Sequence, residues 1–223
     1  MCGRFALSMP HAETARIFAA SPANDLPDVP NWNVCPTNQI PCVISASGSR
    51  RLGAMRWGFV PRWYGSPNDG PLLINARAET VATKPAFRDA CRSRRCLIPA
   101  TGFYEWTKDA DGKRLPWYFH PVGAELLAFA GIWQGWGPDR IPTCAIVSTA
   151  AGPTMAEVHH REPVTLAPED WPLWLGEDGT GAAALMTAAP EGRMARHRVS
   201  TKVNSNRASG ADLIDPLLED ASD

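Results

Sequence analysis

Long apolar runs are absent: nowhere does the chain approach the ~18 consecutive apolar residues that a membrane-spanning helix requires. The start lacks the charged-then-apolar pattern of a secretion signal, since Arg4 is followed by Ala6-Leu7-Ser8 and then Pro10. Both absences point to a cytoplasmic protein with no membrane partner. Metal-site cysteine spacing is missing too. The six cysteines, at 2, 35, 42, 91, 96 and 144, include no CxxC pair, and no histidine cluster accompanies Cys91 and Cys96. That argues against a zinc site. Thiols of a cytoplasmic chain this size stay reduced, so all except Cys2 are expected to be buried and structural. No segment repeats, which rules against a solenoid, and there is no strand–helix alternation of the parallel-sheet kind.

What is present describes an ordinary globular protein. Its 223 residues are 44% hydrophobic and 20% charged, enough for one large domain or two small ones. The net charge of −1 hides an asymmetry: residues 1–115 carry 15 Lys+Arg against 9 Asp+Glu, and residues 116–223 carry 7 against 14. A basic half can steer a polyanion even where the total is neutral, although a solvated charged surface accounts for the same counts.

Short strands are predicted over 2–7, 40–46, 51–59, 96–99, 102–106, 117–119, 126–133 and 141–148, with one more at 197–203. Asp111-Gly112 marks a hairpin turn before Trp117. Helices are expected from Pro10 to Ala19, around 85–92, at 153–158 and over 168–175, while 21–30 and 31–37 read as irregular. The fold class is therefore α+β. A single domain over residues 1–210 has a mainly antiparallel, partly closed, barrel-like sheet as its core and short helices at its periphery. Residues 211–223 read as an acidic tail, polar enough to be disordered.

The unusual chemistry lies in Met1-Cys2-Gly3-Arg4-Phe5. Cysteine after the initiator methionine is small enough for aminopeptidases to remove Met1, leaving an α-amine and a thiol two bonds apart on Cys2. Their unperturbed pKa values are about 8 and about 8.5, so both are partly deprotonated near neutral pH. Such an aminothiol attacks an aldehyde twice, first through nitrogen to an imine and then through sulfur to a five-membered thiazolidine. Taken alone, Cys2 reads better as an incidental residue on a frayed terminus.

Three other segments tip the balance the other way: Asn75-Ala76-Arg77-Ala78-Glu79-Thr80, Gly102-Phe103-Tyr104-Glu105-Trp106 and His159-His160-Arg161-Glu162-Pro163. With MRWGFVPRW at 55–63, KPAF at 84–87, RRCLIPATGFYEW at 94–106 and the late Val203-Asn204, they make the chain resemble the SRAP family, the SOS response-associated peptidases. The resemblance spans nearly the whole chain, in the right order and with its first segment at the chain start. It implies a sensor of abasic sites in single-stranded DNA, in which the N-terminal cysteine crosslinks the ring-opened sugar and shields the lesion. It calls for no cofactor or metal, and the expected protein is a monomer, nucleoid-associated when engaged on DNA. The aminothiol independently asks for an aldehyde, and an abasic deoxyribose is one.

On the matching positions, the resemblance makes Cys2 the nucleophile and Glu105 the proton-shuttling carboxylate. Asn75 becomes the amide beside Cys2, and His159 the residue that helps open the sugar ring. Without the motifs, Glu105 is a surface strand residue, Asn75 a turn former and His159 a structural histidine. Arg4, Arg77 and Arg161 are expected on phosphates, whose geometry suits guanidinium forks. Trp63 and Pro36 are expected to wedge against bases beside the lesion, with Trp106 also on the DNA side; core packing is the alternative for Trp63. If 159–161 is extended, His159 and Arg161 share a face and His160 points away. Glu162 departs from the family's usual methionine and is expected to neutralise Arg161. Two other readings stay open: a thiol autopeptidase that processes its own N-terminus, and a non-covalent single-strand-binding module.

Overall fold

Period-two alternation dominates the chain and builds two packed sheets. The structure, a computed structural model, describes residues 2–217. In chain order the elements are β1 (Phe5–Leu7), α1 (His11–Ile17), β2 (Ala20–Pro22), β3 (Asn31–Val34), β4 (Gln39–Ala46), β5 (Ser49–Trp57) and β6 (Asn75–Arg77). They continue with α2 (Arg88–Ser93), β7 (Arg95–Ala100), β8 (Gly102–Lys108), β9 (Arg114–Pro121), β10 (Leu127–Trp136) and β11 (Ile141–Ala150). Last come α3 (Pro153–Ala156), β12 (Arg161–Pro163), α4 (Trp171–Leu175) and β13 (Met194–Arg198). Among the described residues no helix is long and apolar enough to cross a membrane.

The smaller sheet has five strands in the order β13-β9-β8-β1-β3, all antiparallel. The larger runs β12-β11-β10-β7-β4-β5-β2 and bends back on itself, because β5 also pairs with β11 through Arg56↔Thr143 and Trp57↔Cys144. One seam, β4 to β7, pairs only Val43 with Leu97. The result is a partly ring-like sheet, not a barrel. Its parallel contacts are short: β5–β11, β6–β11 and β2–β5.

Alternation along the strands sorts side chains into two layers. Val43, Leu97, Ala130, Ala145 and Val147 face a core shared with Phe18, Phe87, Trp171 and Trp174 of the helical side. Their neighbours Cys42, Cys96, Ile98, Phe129, Cys144 and Ile146 face the small sheet, where they meet Phe5, Trp57, Phe103 and Phe119. A third cluster lies on the other side of the small sheet: Ala6, Tyr104 and Tyr118 under Val199, Val203 and Leu213 of the C-terminal segment.

Local turn chemistry accounts for the hairpins. Ser47 and Gly48 take φ values of 52° and 77°, as a two-residue β4–β5 loop demands. At the β8–β9 turn, Asp109 Oδ1 accepts from the N–H groups of Asp111 and Lys113, and Gly112 adopts a φ of 79°. Helix α4 stops at Gly176, left-handed at φ 81°.

Four expectations need correction. Residues 31–34 form an edge strand, because backbone pairing with β1 overrides their Asn-Trp-Asn composition. Residues 20–22 likewise pair with β5 inside the expected loop. The late strand is Met194–Arg198, and 201–204 is a 3-10 turn whose Lys202 N–H donates to Ser200 Oγ. Of the expected acidic tail, 211–214 forms a 3-10 turn with Leu213 buried, and residues 218–223 lie outside the described residues.

Candidate active site

The β1–β8 register brings the chain start to Glu105. Phe5 pairs with Phe103, Tyr104 N–H donates to Arg4 O at 2.9 Å, and the same antiparallel course lays Cys2-Gly3 beside Glu105. Cys2 is fully buried, so it joins the structural thiols in burial, whereas Cys35 and Cys91 prove only half-buried. Burial pushes the Cys2 thiol far above its ordinary pKa, and the Glu105 carboxylate adds to that; the thiolate is scarce at neutral pH.

Asn75 arrives from β6, which lies parallel to β11 with Asn75 opposite Ile146. Its Nδ2 donates to Cys2 O at 2.8 Å, and its Oδ1 is buried with no hydrogen-bond partner among the described residues. Such an orphaned acceptor is costly to desolvate and suits an incoming N–H or O–H.

His159 lies in the turn between α3 and β12, anchored by its backbone N–H to Met155 O at 2.9 Å. Its Nδ1 is 3.0 Å from Arg161 N and 3.1 Å from Arg161 O. Burial lowers its pKa, Glu105 and the hydrogen bond with the Arg161 backbone oppose that, and His160 reinforces it. One carboxylate thus acts electrostatically on both the thiol and the imidazole. The expected opposite-facing histidines are not found: the segment bends, and the two rings stack with centroids 4.3 Å apart. His160 is the exposed member and His159 the half-buried one.

The three arginines divide. Arg161 is buried and binds Glu79 through two nitrogens, at 2.9 and 3.0 Å, and Ser148 O at 2.6 Å. Arg4 is also buried, donating to Asn33 Oδ1 at 2.6 Å and Val203 O at 3.0 Å. Arg77 alone of the three is exposed, two residues from Asn75 and so on the same face of β6. Glu162 does not neutralise Arg161. It is 1% exposed and accepts from the N–H groups of Gly152 and Ala189, and burial raises its pKa. The neutralising role belongs to Glu79, inside a motif that drew attention only to Asn75 and Arg77. Asn33 carried no local signal at all.

Trp106 and Arg4 lie on the opposite face of the small sheet from Glu105. There Trp106 Nε1 donates to Asn204 Oδ1 at 2.7 Å, with the guanidinium carbons of Arg114 and Arg4 at 4.4 and 5.7 Å from its ring. Trp63 is not core: it is 62% exposed on the loop after β5. Pro36 is half-buried in the turn where Thr37 N–H donates to Trp57 O. Cys2, Asn75, Glu105 and His159 therefore converge, Arg77 and Arg161 border them, and Arg4 and Trp106 face the other side of the small sheet.

This chain is 34% identical over 224 residues to the abasic site processing protein YoaM of Bacillus subtilis, covering 96% of this chain and 98% of the relative. It is 31% identical over 229 residues to the abasic site processing protein YedK of Escherichia coli, covering 97% and 100%. For the abasic site processing protein HMCES of Gallus gallus, identity is 29%, with coverage of 97% and 78%. A crystal structure of a protein from Bacteroides thetaiotaomicron shares the fold, with a TM-score of 0.85 at 21% identity and coverage of 97% and 100%. Residues 1–206 match the family described as SOS response associated peptidase (SRAP). With that match and those relatives, the chain belongs to the SRAP family.

Proposed function

We propose that this protein processes abasic sites in DNA, and that Cys2, once Met1 is removed, forms a thiazolidine with the ring-opened deoxyribose of a single strand. The observation that carries the reading is the convergence of Cys2, Asn75, Glu105 and His159 from four separate parts of the chain. The names of the relatives, abasic site processing proteins, supply the substrate class.

The order of events follows from the electrostatics. The thiol is held protonated, so the α-amine is the first nucleophile. Its nitrogen attacks the aldehyde carbon, and loss of one water leaves an imine. Sulfur then adds to the imine carbon; the C–S bond forms as the thiol proton passes through Glu105 to the imine nitrogen. Asn75 fixes the Cys2 carbonyl through Nδ2 and offers Oδ1 to an amine N–H or a sugar hydroxyl. His159, held at Nδ1 by Arg161, protonates the departing ring oxygen. Arg77 meets a phosphate of the strand. Arg161 and Glu79 brace the His159 turn.

The test is a denaturing gel with a single-stranded oligonucleotide carrying one abasic site, alongside intact-mass measurement of the native chain. The mass should lack one methionine, and the abasic strand should give a denaturation-resistant adduct where undamaged DNA gives none. Cys2→Ser keeps the amine but cannot close the sulfur ring, so its product should be a labile imine trapped only by borohydride. A stable adduct from Cys2→Ser at wild-type yield would overturn the thiazolidine chemistry.

A further inference from the structure

The face that carries Glu105 does not end at the cluster around Cys2. In register across the small sheet, Glu105 lies opposite Trp117 on β9, and Trp117 lies opposite Arg198 on the edge strand β13. Directly opposed residues project to the same side. With strands about 4.8 Å apart, the Cα of Arg198 is about 10 Å from that of Glu105. Arg196, two residues along β13, projects to that side as well. Both guanidinium carbons lie 5.2 Å from the centre of the Trp117 ring, whose Nε1 donates to Thr107 Oγ1 at 3.0 Å.

The two arginines are not equivalent. Arg196 donates to Thr154 O at 2.7 Å and pairs with Glu157, which ties β13 to the segment leading into His159. Arg198 donates through Nε to Pro116 O at 3.2 Å, and no ion pair engages it among the described residues. Two cations against one indole, with a single carboxylate between them, leave an excess positive charge on a preorganised aromatic support. A planar guanidinium fork in that setting matches a phosphodiester oxygen pair.

We propose that Arg198, braced on Trp117, binds a backbone phosphate of the DNA strand two to three nucleotides from the sugar held at Cys2. This rests on the DNA reading above for its ligand, and on the sheet register for its place. Strand β13 belongs to the acidic half of the chain, so its two arginines run against the local composition. The spacing follows from dividing about 10 Å by the ~3.4 Å rise per nucleotide of a stacked strand.

The experiment measures fluorescence anisotropy of a single-stranded oligonucleotide containing tetrahydrofuran, an abasic analogue with no aldehyde, over a sodium chloride series. Arg198→Ala should weaken binding several-fold at low salt and reduce the slope of log K against log salt by about 0.7, one phosphate contact on a single strand. Arg198→Lys should keep most of the slope. Neither substitution should slow thiazolidine formation with 2-deoxyribose 5-phosphate, which has the aldehyde but no neighbouring strand. An unchanged slope in Arg198→Ala, a Lys variant behaving like the Ala variant, or slowed reaction with the sugar phosphate would each overturn the assignment. Should the analogue bind with the expected Arg198 dependence while an authentic abasic strand gives no adduct, the phosphate contact stands and the covalent reading falls. Absence of any binding by the unsubstituted protein overturns both.

Discussion

Burial gives Cys2 a chemistry that an exposed terminal cysteine lacks. Desolvation raises its thiol pKa first, and Glu105 raises it further. The same carboxylate raises the pKa of His159 against a larger lowering by burial. Glu105→Gln removes one negative charge from both neighbours while keeping the side chain's shape. Loss of that charge stabilises the thiolate relative to the thiol and destabilises the imidazolium relative to the imidazole. Both pKa values should therefore move down: the pH profile of Cys2 alkylation by iodoacetamide to lower pH, and the His159 titration, followed by NMR, also to lower pH. Movement of one without the other would show that Glu105 does not face them both.

At the scale of the elements, β8 is the strand on which the site is registered, and its first residue controls that register. A Cβ on Gly102 would lie 2.3 Å from Tyr118 Cζ and 2.4 Å from the backbone oxygen of Phe119. The tyrosine ring is buried against Tyr104 and His197, and the carbonyl oxygen is fixed within the β8–β9 pairing, so neither yields easily. Gly102→Ala should cost about 1–3 kcal/mol, read as a lowered urea midpoint, as over-packing of a tight site does. A midpoint equal to wild type would mean that β8 and β9 can separate at Gly102. The β8–β9 hairpin was legible in the sequence because alternation and turn residues fall within one short stretch, and the strands of the β4–β5 pair were legible from their own composition. The edge strands β3 and β13 were not, or were misplaced, because an edge is defined by what pairs with it and not by its own side chains.

On the scale of the whole molecule, Arg4 holds the C-terminal segment to the small sheet. It donates to Asn33 Oδ1 and Val203 O, and Asn33 in turn donates to Ser205 O at 3.2 Å and Ala208 O at 2.7 Å. Arg4→Ala leaves these acceptors without their donor beneath the Val203 and Leu213 cluster. It should destabilise the protein by about 1–3 kcal/mol and speed hydrogen exchange across 201–214, with the salt dependence of DNA binding unchanged. If Arg4→Ala instead weakens DNA binding at unchanged stability, the phosphate role implied by family resemblance is the correct one.

Chemistry that depends on covalent neighbours was decided by the sequence itself. The aminothiol latent in Met1-Cys2, the Asp111-Gly112 turn and the alternating strands each need only a few adjacent residues. The ordered motifs sufficed for the family, and they singled out Cys2, Asn75, Glu105 and His159, which the fold brings together. Only the tertiary structure decided what the arginines do. Arg161 finds Glu79 82 residues away, Arg4 finds Asn33 29 residues away, and Glu162 turns to backbone N–H groups instead of its neighbour. A guanidinium looks the same in sequence whether it faces a phosphate or a buried carboxamide. Strand order and register choose between the two, because they alone set which long side chains are desolvated together.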